Sequence, residues 1–185
     1  MKCLITVVNS KIKRRENNMG FDLTGLNPQS SEPQPTWDGA DPMIKTGKNS
    51  YAVDPQIKEE YDDYMKSRWE WQDKTEGAYF RNNVWFWRPL WNFVTGCCGD
   101  ILSEKDIEKG YNNDGHKISK TKAKKIAVRL RKFFKDGSVD AYEEWYSRKV
   151  SEMEEDDWNK NYPFSIQNVR EFERFCEHSG GFEIC

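Results

Sequence analysis

Aromatic side chains outnumber the branched aliphatic ones in this chain, and that balance limits what its core can be built from. The 185 residues include 10 Phe, 8 Tyr and 8 Trp against a total of 25 Ile, Leu and Val. Chains poor in aliphatic residues are often disordered, but disordered chains are poor in aromatic residues as well. Because each aromatic side chain buries about 150–250 Å², the sequence predicts one compact domain with an aromatic-rich core.

Charge and cysteine content exclude several classes of protein. The 29 basic and 31 acidic residues give a formal net charge of -2, which excludes a strongly basic nucleic-acid-binding protein and a polyacidic DNA mimic. No apolar run approaches the roughly 20 residues of a membrane span. The five cysteines lack a C-x-x-C spacing, so they fit neither a disulfide framework nor a zinc finger. We therefore expect a cytoplasmic protein with reduced thiols, no metal and no cofactor.

The adjacent Cys97 and Cys98 are predicted to be apolar filler. Side chains of neighbouring helical residues point about 100° apart, so the two thiols are poorly placed to hold one metal ion together. A reactive thiolate needs a nearby cation, and none is evident beside them in the sequence.

The first eighteen residues are expected to lie outside the domain. The apolar run at residues 4–8 is too short for a signal peptide, and the basic cluster at residues 11–15 follows it instead of preceding it. Arg14, Arg15 and Glu16 can be encoded by codons that resemble a ribosome-binding site shortly before Met19. We therefore interpret residues 1–18 as a translated leader, with a flexible basic arm as the alternative.

Helical periodicity and capping residues predict a mainly α fold. We expect residues 19–185 to form a single compact helical domain of about five to six helices. Residues 28–54 are rich in Pro, Ser and Gly, which is typical of a linker-like insertion. No alternating strand longer than four residues is visible. The predicted helices begin at Asp54 with Pro55, and at Pro89, Ser103, Ser119, Ser138 and Ser165.

Pro89 determines how the Trp-rich segment before it is interpreted. A helix that ran through this segment would hold a proline in its interior, at a cost of about 3 kcal/mol. We therefore expect the helix to begin at Pro89 and residues 82–88 to form a loop. That loop would lead into a helix N-terminus, where free N–H groups favour anions.

This predicted loop is the main candidate for a ligand site. Guanidinium groups pair with phosphate or carboxylate, asparagine amides match polar edges, and indole faces stack on planar rings. The turn around Asp114 and His116 adds a carboxylate and an imidazole. The alternative is that the tryptophans form core and that the Arg and Asn side chains cap backbone groups. The predicted ligand-binding residues are Arg81, Asn82, Asn83, Trp85, Trp87, Arg88, Asn113, Asp114 and His116.

Five segments together resemble a family of small uncharacterised bacteriophage and metagenome proteins. Relative to that family, residues 28–75 look like an insertion. A cysteine-rich, zinc-knuckle-like insert that some relatives carry near residues 156–161 is absent here, so no metal role is carried over. The resemblance implies a phage origin and attaches no activity. The segments are MGFDLTGLNP at 19–28, YFRNNVWFWRPLW at 79–91, NDGH at 113–116, YPFS at 162–165 and SGGFEIC at 179–185.

We expect a phage-type accessory protein that acts without catalysis in the host cell cytoplasm. Its function would be to bind a small anionic, nucleotide-derived ligand, and sequestering a host immune signal is one purpose that fits a phage origin. One alternative is an inhibitor that binds a host protein through exposed aromatic residues. A third is a hydrolase that uses Asp114 and His116, which would then lie within about 3 Å of each other or of a shared water. Direct binding to nucleic acid or to a membrane is not expected.

Overall fold

The computed structural model describes residues 20–46 and 51–185. The interpretation of residues 1–18 as a leader or arm lies outside the described residues. Within them, the chain forms six α-helices, one 3₁₀-helix and six β-strands. No helix in the described part of the chain combines the length and the apolar character that crossing a membrane requires.

The prediction of a mainly α fold is wrong, because the chain folds as an α+β domain. Four strands form an antiparallel sheet in the order β4-β1-β6-β5, and two short strands form a separate hairpin. The strands are β1 Gly20–Gly25, β2 Met43–Lys45, β3 Tyr51–Val53, β4 Tyr79–Asn83, β5 His116–Ser119 and β6 Gly181–Ile184.

The four strands of the sheet were not predicted because each buries only one or two alternating side chains. β1 buries Phe21 and Leu23, and β5 buries Ile118 alone. The inner strand β6 buries Phe182 and Ile184, and the Phe182 ring also packs against Phe172 and Phe175 of the last helix. Such short alternations carry little periodic signal until their partners are known.

Most predicted helix starts are confirmed. Asp54 accepts hydrogen bonds from the first turn of α1, Ser103 forms a capping box with Asp106, and Ser119 and Ser165 cap the helices that follow them. The helices are α1 Pro55–Lys74, α2 Val84–Cys98, α3 Glu104–Lys109, α4 Lys120–Lys135, α5 Ser138–Ser151 and α6 Ile166–His178, with the 3₁₀-helix at Trp158–Asn161.

The prediction that a helix begins at Pro89 is wrong. The helix begins five residues earlier, where Asn83 caps it by accepting a hydrogen bond from Phe86 N at 3.0 Å. Pro89 therefore lies inside α2 and has no N–H for the carbonyl of Trp85. The next carbonyl, Phe86 O, accepts a hydrogen bond from Asn168 Nδ2 of α6 at 3.3 Å. The helix accommodates the proline because its inward face buries a long apolar stripe that includes two tryptophans.

The aromatic-rich core that the composition predicts lies between the sheet and helices α2, α4 and α6. At its centre the ring of Trp87 stacks on Phe21 of β1 at 5.2 Å and on Trp91 at 5.3 Å between centroids. Phe172 meets the edge of Trp87 at 5.9 Å. The buried aromatic residues of this core are Phe21, Phe80, Trp87, Trp91, Phe93, Phe172, Phe175 and Phe182.

The described part of the linker-like segment at residues 28–54 packs against α1. The ring of Trp37 lies 5.4 Å from Tyr61 and 5.6 Å from Tyr64. Trp71 Nε1 donates to Glu32 O at 3.1 Å. These contacts hold the extended segment along one helix face.

Candidate functional site

The structure does not bring the nine predicted ligand-binding residues into one pocket. Three of them have structural roles at the start of α2. Arg81 Nε lies 3.6 Å from Asp22 Oδ1 on the neighbouring strand. Asn82 is buried and donates to Asn168 Oδ1 at 2.8 Å. Asn83 is the N-cap described above.

Trp87 belongs to the hydrophobic core. Its side chain is 0% exposed, and its Nε1 donates to Gly110 O at 2.8 Å. Trp91 is equally buried and donates to Ile107 O at 3.1 Å. For these two indoles, the structure matches the alternative of core packing.

Trp85 and Arg88 lie on the outer side of α2, away from the buried Trp87, and reach the surface. Trp85 and Arg88 are three residues apart and share a face, whereas Trp87 points about 160° away from Trp85 and about 100° away from Arg88. The Trp85 ring lies 5.0 Å from that of Tyr162 and 5.4 Å from that of Trp158, which is 64% exposed. Arg88 is exposed and its Cζ lies 5.8 Å from the centroid of the Tyr162 ring.

Beside Arg88 lies a half-open cavity of about 250 Å³, which we call the tyrosine cleft. Its walls are fixed by hydrogen bonds. Tyr111 Oη donates to Asn92 Oδ1 at 2.5 Å, and Tyr146 Oη donates to Tyr162 O at 2.6 Å. The residues lining the cleft are Arg88, Pro89, Asn92, Tyr111, Tyr146, Asn159 and Tyr162.

The tyrosine cleft carries a positive charge that none of its lining residues neutralises. Arg88 is the cation among its lining residues, and none of these residues is acidic. Across residues 20–46 and 51–185, Arg88 makes no ion pair with a carboxylate. Burial raises the pKa of Tyr146, so this phenol stays neutral. The cleft therefore offers aromatic faces, amide groups and one free guanidinium.

The turn residues predicted to complete the site do not line the cleft. Asn113 Nδ2 donates to Gly20 O at 3.3 Å. Asp114 accepts a hydrogen bond from Lys109 Nζ at 2.6 Å, and this contact lowers the pKa of Asp114. His116 Nε2 lies 2.9 Å from Asp106 Oδ1, so its carboxylate partner is Asp106 instead of Asp114.

Asp106 joins three elements through its buried carboxylate. The side chain accepts hydrogen bonds from Ser103 Oγ at 2.6 Å, from Lys122 Nζ of α4 and from His116 of β5. Burial raises the pKa of Asp106, but the bonds from Lys122, Ser103 and His116 outweigh it and hold that pKa well below its usual range. In the described ranges, no three His, Cys, Asp or Glu side chains are grouped so that they could hold a metal ion.

Sequence reasoning missed most of the cleft. Tyr162 lies in one of the segments that carry the family resemblance, but nothing local placed its ring beside Arg88. Tyr111, Tyr146 and Asn159 come from three separate parts of the chain. Only their positions in the folded chain identify them as neighbours.

Protein-family models, curated proteins and solved structures were all compared with the chain, and none of them matches. A function must therefore be inferred from the tyrosine cleft and its surroundings.

Proposed function

We propose that this chain is a phage-type accessory protein that binds a small anionic ligand with a planar ring in the tyrosine cleft. It acts as a non-enzymatic binding module in the host cell cytoplasm. Arg88 takes the anion, a tyrosine ring of the cleft stacks on the planar group, and the amides of Asn92 and Asn159 meet its polar edges. The observation that carries the proposal is the unpaired guanidinium of Arg88 over the ring of Tyr162.

The size of the cleft favours a ligand with a single ring system. Ligand pockets commonly measure about 300–1,000 Å³, and the tyrosine cleft lies just below that range at about 250 Å³. It has room for a base or a phosphate group, while a larger nucleotide would extend over Trp85 and Trp158. Nucleotide-derived signalling molecules carry both a planar ring that can stack and an anionic group.

The expected affinity is modest. Stacking of one base contributes about 1–3 kcal/mol, and a hydrogen bond to a charged group contributes about 1.5–3 kcal/mol. Their sum of about 2.5–6 kcal/mol corresponds to dissociation constants from about ten millimolar to tens of micromolar. Screening must therefore use ligand concentrations in the millimolar range.

A thermal-shift panel of cyclic nucleotides and ADP-ribose tests the proposal. A ligand with a dissociation constant of tens of micromolar reaches about 100 times that value at millimolar concentration and then stabilises the protein by about 2.7 kcal/mol. We expect at least one member to raise the melting temperature and Arg88→Gln to remove the effect. The matched control is Arg81→Gln, which changes an arginine outside the cleft and should keep the shift. A panel without any stabilising member, or a shift that survives Arg88→Gln, contradicts the proposal.

A second candidate function, inhibition of a host protein, is favoured by the exposed rings around the cleft. Trp158 is 64% exposed and Trp145 is 47% exposed, and aromatic residues with arginine are the usual hot spots of interfaces. Double replacement of Trp145 and Trp158 by Ala separates the two functions. It should abolish capture of a stoichiometric host partner if the rings bind protein, whereas a ligand that is confined to the cleft should still stabilise the double variant.

The hydrolase alternative requires Asp114 and His116 to lie close together, and the structure gives each of them a different partner. Asp114 pairs with Lys109, and His116 pairs with Asp106. We therefore do not propose a hydrolytic function for these residues.

A further inference from the structure

Two adjacent thiols meet at the end of α2. Cys97 Sγ and Cys98 Sγ lie 3.6 Å apart, although neighbouring helical side chains usually diverge. Cys98 is fully buried, whereas Cys97 is partly exposed. The helix ends at Cys98, and Gly99 follows as its C-cap. One thiol of the pair is therefore open to solvent and the other lies behind it.

A cation that the sequence did not reveal is fixed beside this pair. Arg129 of α4 donates to Cys97 O at 2.5 Å, and the same guanidinium binds both carboxylate oxygens of Asp100 at 3.0 and 2.8 Å. No such cation was evident in the sequence around these cysteines. The reason is that Arg129 reaches them from another helix.

The two thiols differ in acidity. A hydrogen bond from the Cys98 thiol and the charge of Arg129 lower the pKa of Cys97 and outweigh its burial and the charge of Asp100. The same hydrogen bond and burial raise the pKa of Cys98. Thiolate character together with access determines which cysteines react with oxidants. Cys97 is thus the nucleophile of the pair, and Cys98 retains its proton.

We propose that Cys97 is a peroxide-reactive thiol and that Cys98 is its resolving partner. The Cys97 thiolate attacks one oxygen of hydrogen peroxide, the O–O bond breaks, and hydroxide leaves to take up a proton. Cys97 is thereby oxidised to sulfenic acid and the peroxide is reduced to water. The Cys98 thiol then attacks the Cys97 sulfur, a disulfide forms, and the sulfenic oxygen leaves as a second water.

The resulting bond between adjacent residues is readily reversed. Closing it moves the sulfurs from 3.6 Å to about 2.05 Å, and consecutive Cα atoms lie closer together than in ordinary disulfides. Strained disulfides of this kind are easily reduced. Oxidation at the end of α2 is therefore reversible by a dithiol, and it is independent of the tyrosine cleft.

Peptide mapping after peroxide treatment of the full chain tests the proposal. We expect the peptide that contains Cys97 and Cys98 to lose two hydrogens, and dithiothreitol to restore them. Cys98→Ser should stop the reaction at a sulfenic acid that dimedone traps on Cys97, and Cys97→Ser should abolish both products. Cys185 is the solvent-exposed control; partial desolvation and the charges of Glu183 and Asp22 raise its pKa, so it should remain reduced under conditions that oxidise Cys97. Oxidation of Cys185 before Cys97, or overoxidation of Cys97 without a disulfide in the intact chain, overturns the proposal.

The effect of Arg129 on the reactivity of Cys97 can be measured separately. The rate of iodoacetamide alkylation of Cys97, measured relative to Cys185, should fall about fivefold in Arg129→Gln. Arg129→Lys keeps the positive charge and should restore most of the rate. An equal loss in both variants would mean that Arg129 acts through packing alone and would remove this part of the proposal.

Discussion

Replacing Trp87 by Phe tests whether its indole is part of the core. The variant keeps a stacked ring but removes the Nε1–H that bonds to Gly110 O at 2.8 Å. An unpaired buried carbonyl costs about 1–3 kcal/mol, and the two lost ring carbons cost about 1.6 kcal/mol at about 0.8 kcal/mol for each buried CH₂. We therefore expect Trp87→Phe to lower the free energy of unfolding by about 3–5 kcal/mol.

Urea denaturation followed by circular dichroism measures this change. For a domain of this length the expected loss corresponds to a fall in melting temperature of roughly 10 °C. The matched control is Trp145→Phe, because Trp145 is 47% exposed and its replacement should change stability by less than about 1 kcal/mol. If both variants unfold at the wild-type urea concentration, the Trp87 indole does not make the buried ring contacts and the hydrogen bond to Gly110 O on which this prediction depends.

Four further stability effects follow from single sites and can be measured by the same denaturation. Gly110→Ala should destabilise by about 1–3 kcal/mol or more, because its added Cβ would lie 2.1 Å from Trp91 Cε2; no loss would contradict this packing. Gly96→Ala meets no atom within 4 Å and should stabilise α2 by about 0.5–1 kcal/mol. Asn83→Ala should cost about 1 kcal/mol through loss of the N-cap. The folded-state pKa of Asp106 lies below its unfolded value near 3.9. Its contribution to the free energy of unfolding is therefore fully present above about pH 4 and is lost as the pH falls through the folded-state pKa. Asp106→Asn should reduce this loss of stability in acid.

The helices could largely be predicted because their signals are local. Asp54, Ser103, Ser119 and Ser165 each bond to backbone groups two or three residues away. Such capping depends on neighbours in sequence and leaves a recognisable pattern. Pro89 was the exception, because its local penalty is outweighed by the burial of the apolar face of α2, which depends on tertiary packing.

The sheet could not be predicted because its pairings are distant in sequence. Thr24 pairs with Tyr79 on one side and with Glu183 on the other. Each strand gains its stability from these partners, and its own few residues carry too little alternation to indicate them. A strand such as β5, with Ile118 as its one buried residue, is visible only in the assembled fold.

The candidate site was predicted in part. Arg88 and Trp85 were selected for their chemistry, and both lie at or beside the tyrosine cleft. Trp87 was selected with them because the segment was interpreted as a loop. Once it is helical, Trp87 points about 160° away from Trp85 and about 100° away from Arg88, which separates it from both.

Nuclear magnetic resonance of side-chain N–H groups tests the central claim most directly. The indole signals of Trp85 and Trp87 can be assigned by single Phe replacements, and the Arg88 Nε–H signal by Arg88→Gln. On saturation with the nucleotide that gives the largest thermal shift, we expect the Arg88 and Trp85 signals to move and the Trp87 signal to stay. Movement of the Trp87 indole signal while Arg88 and Trp85 remain unchanged would contradict both the buried core position of Trp87 and the location of the ligand in the tyrosine cleft.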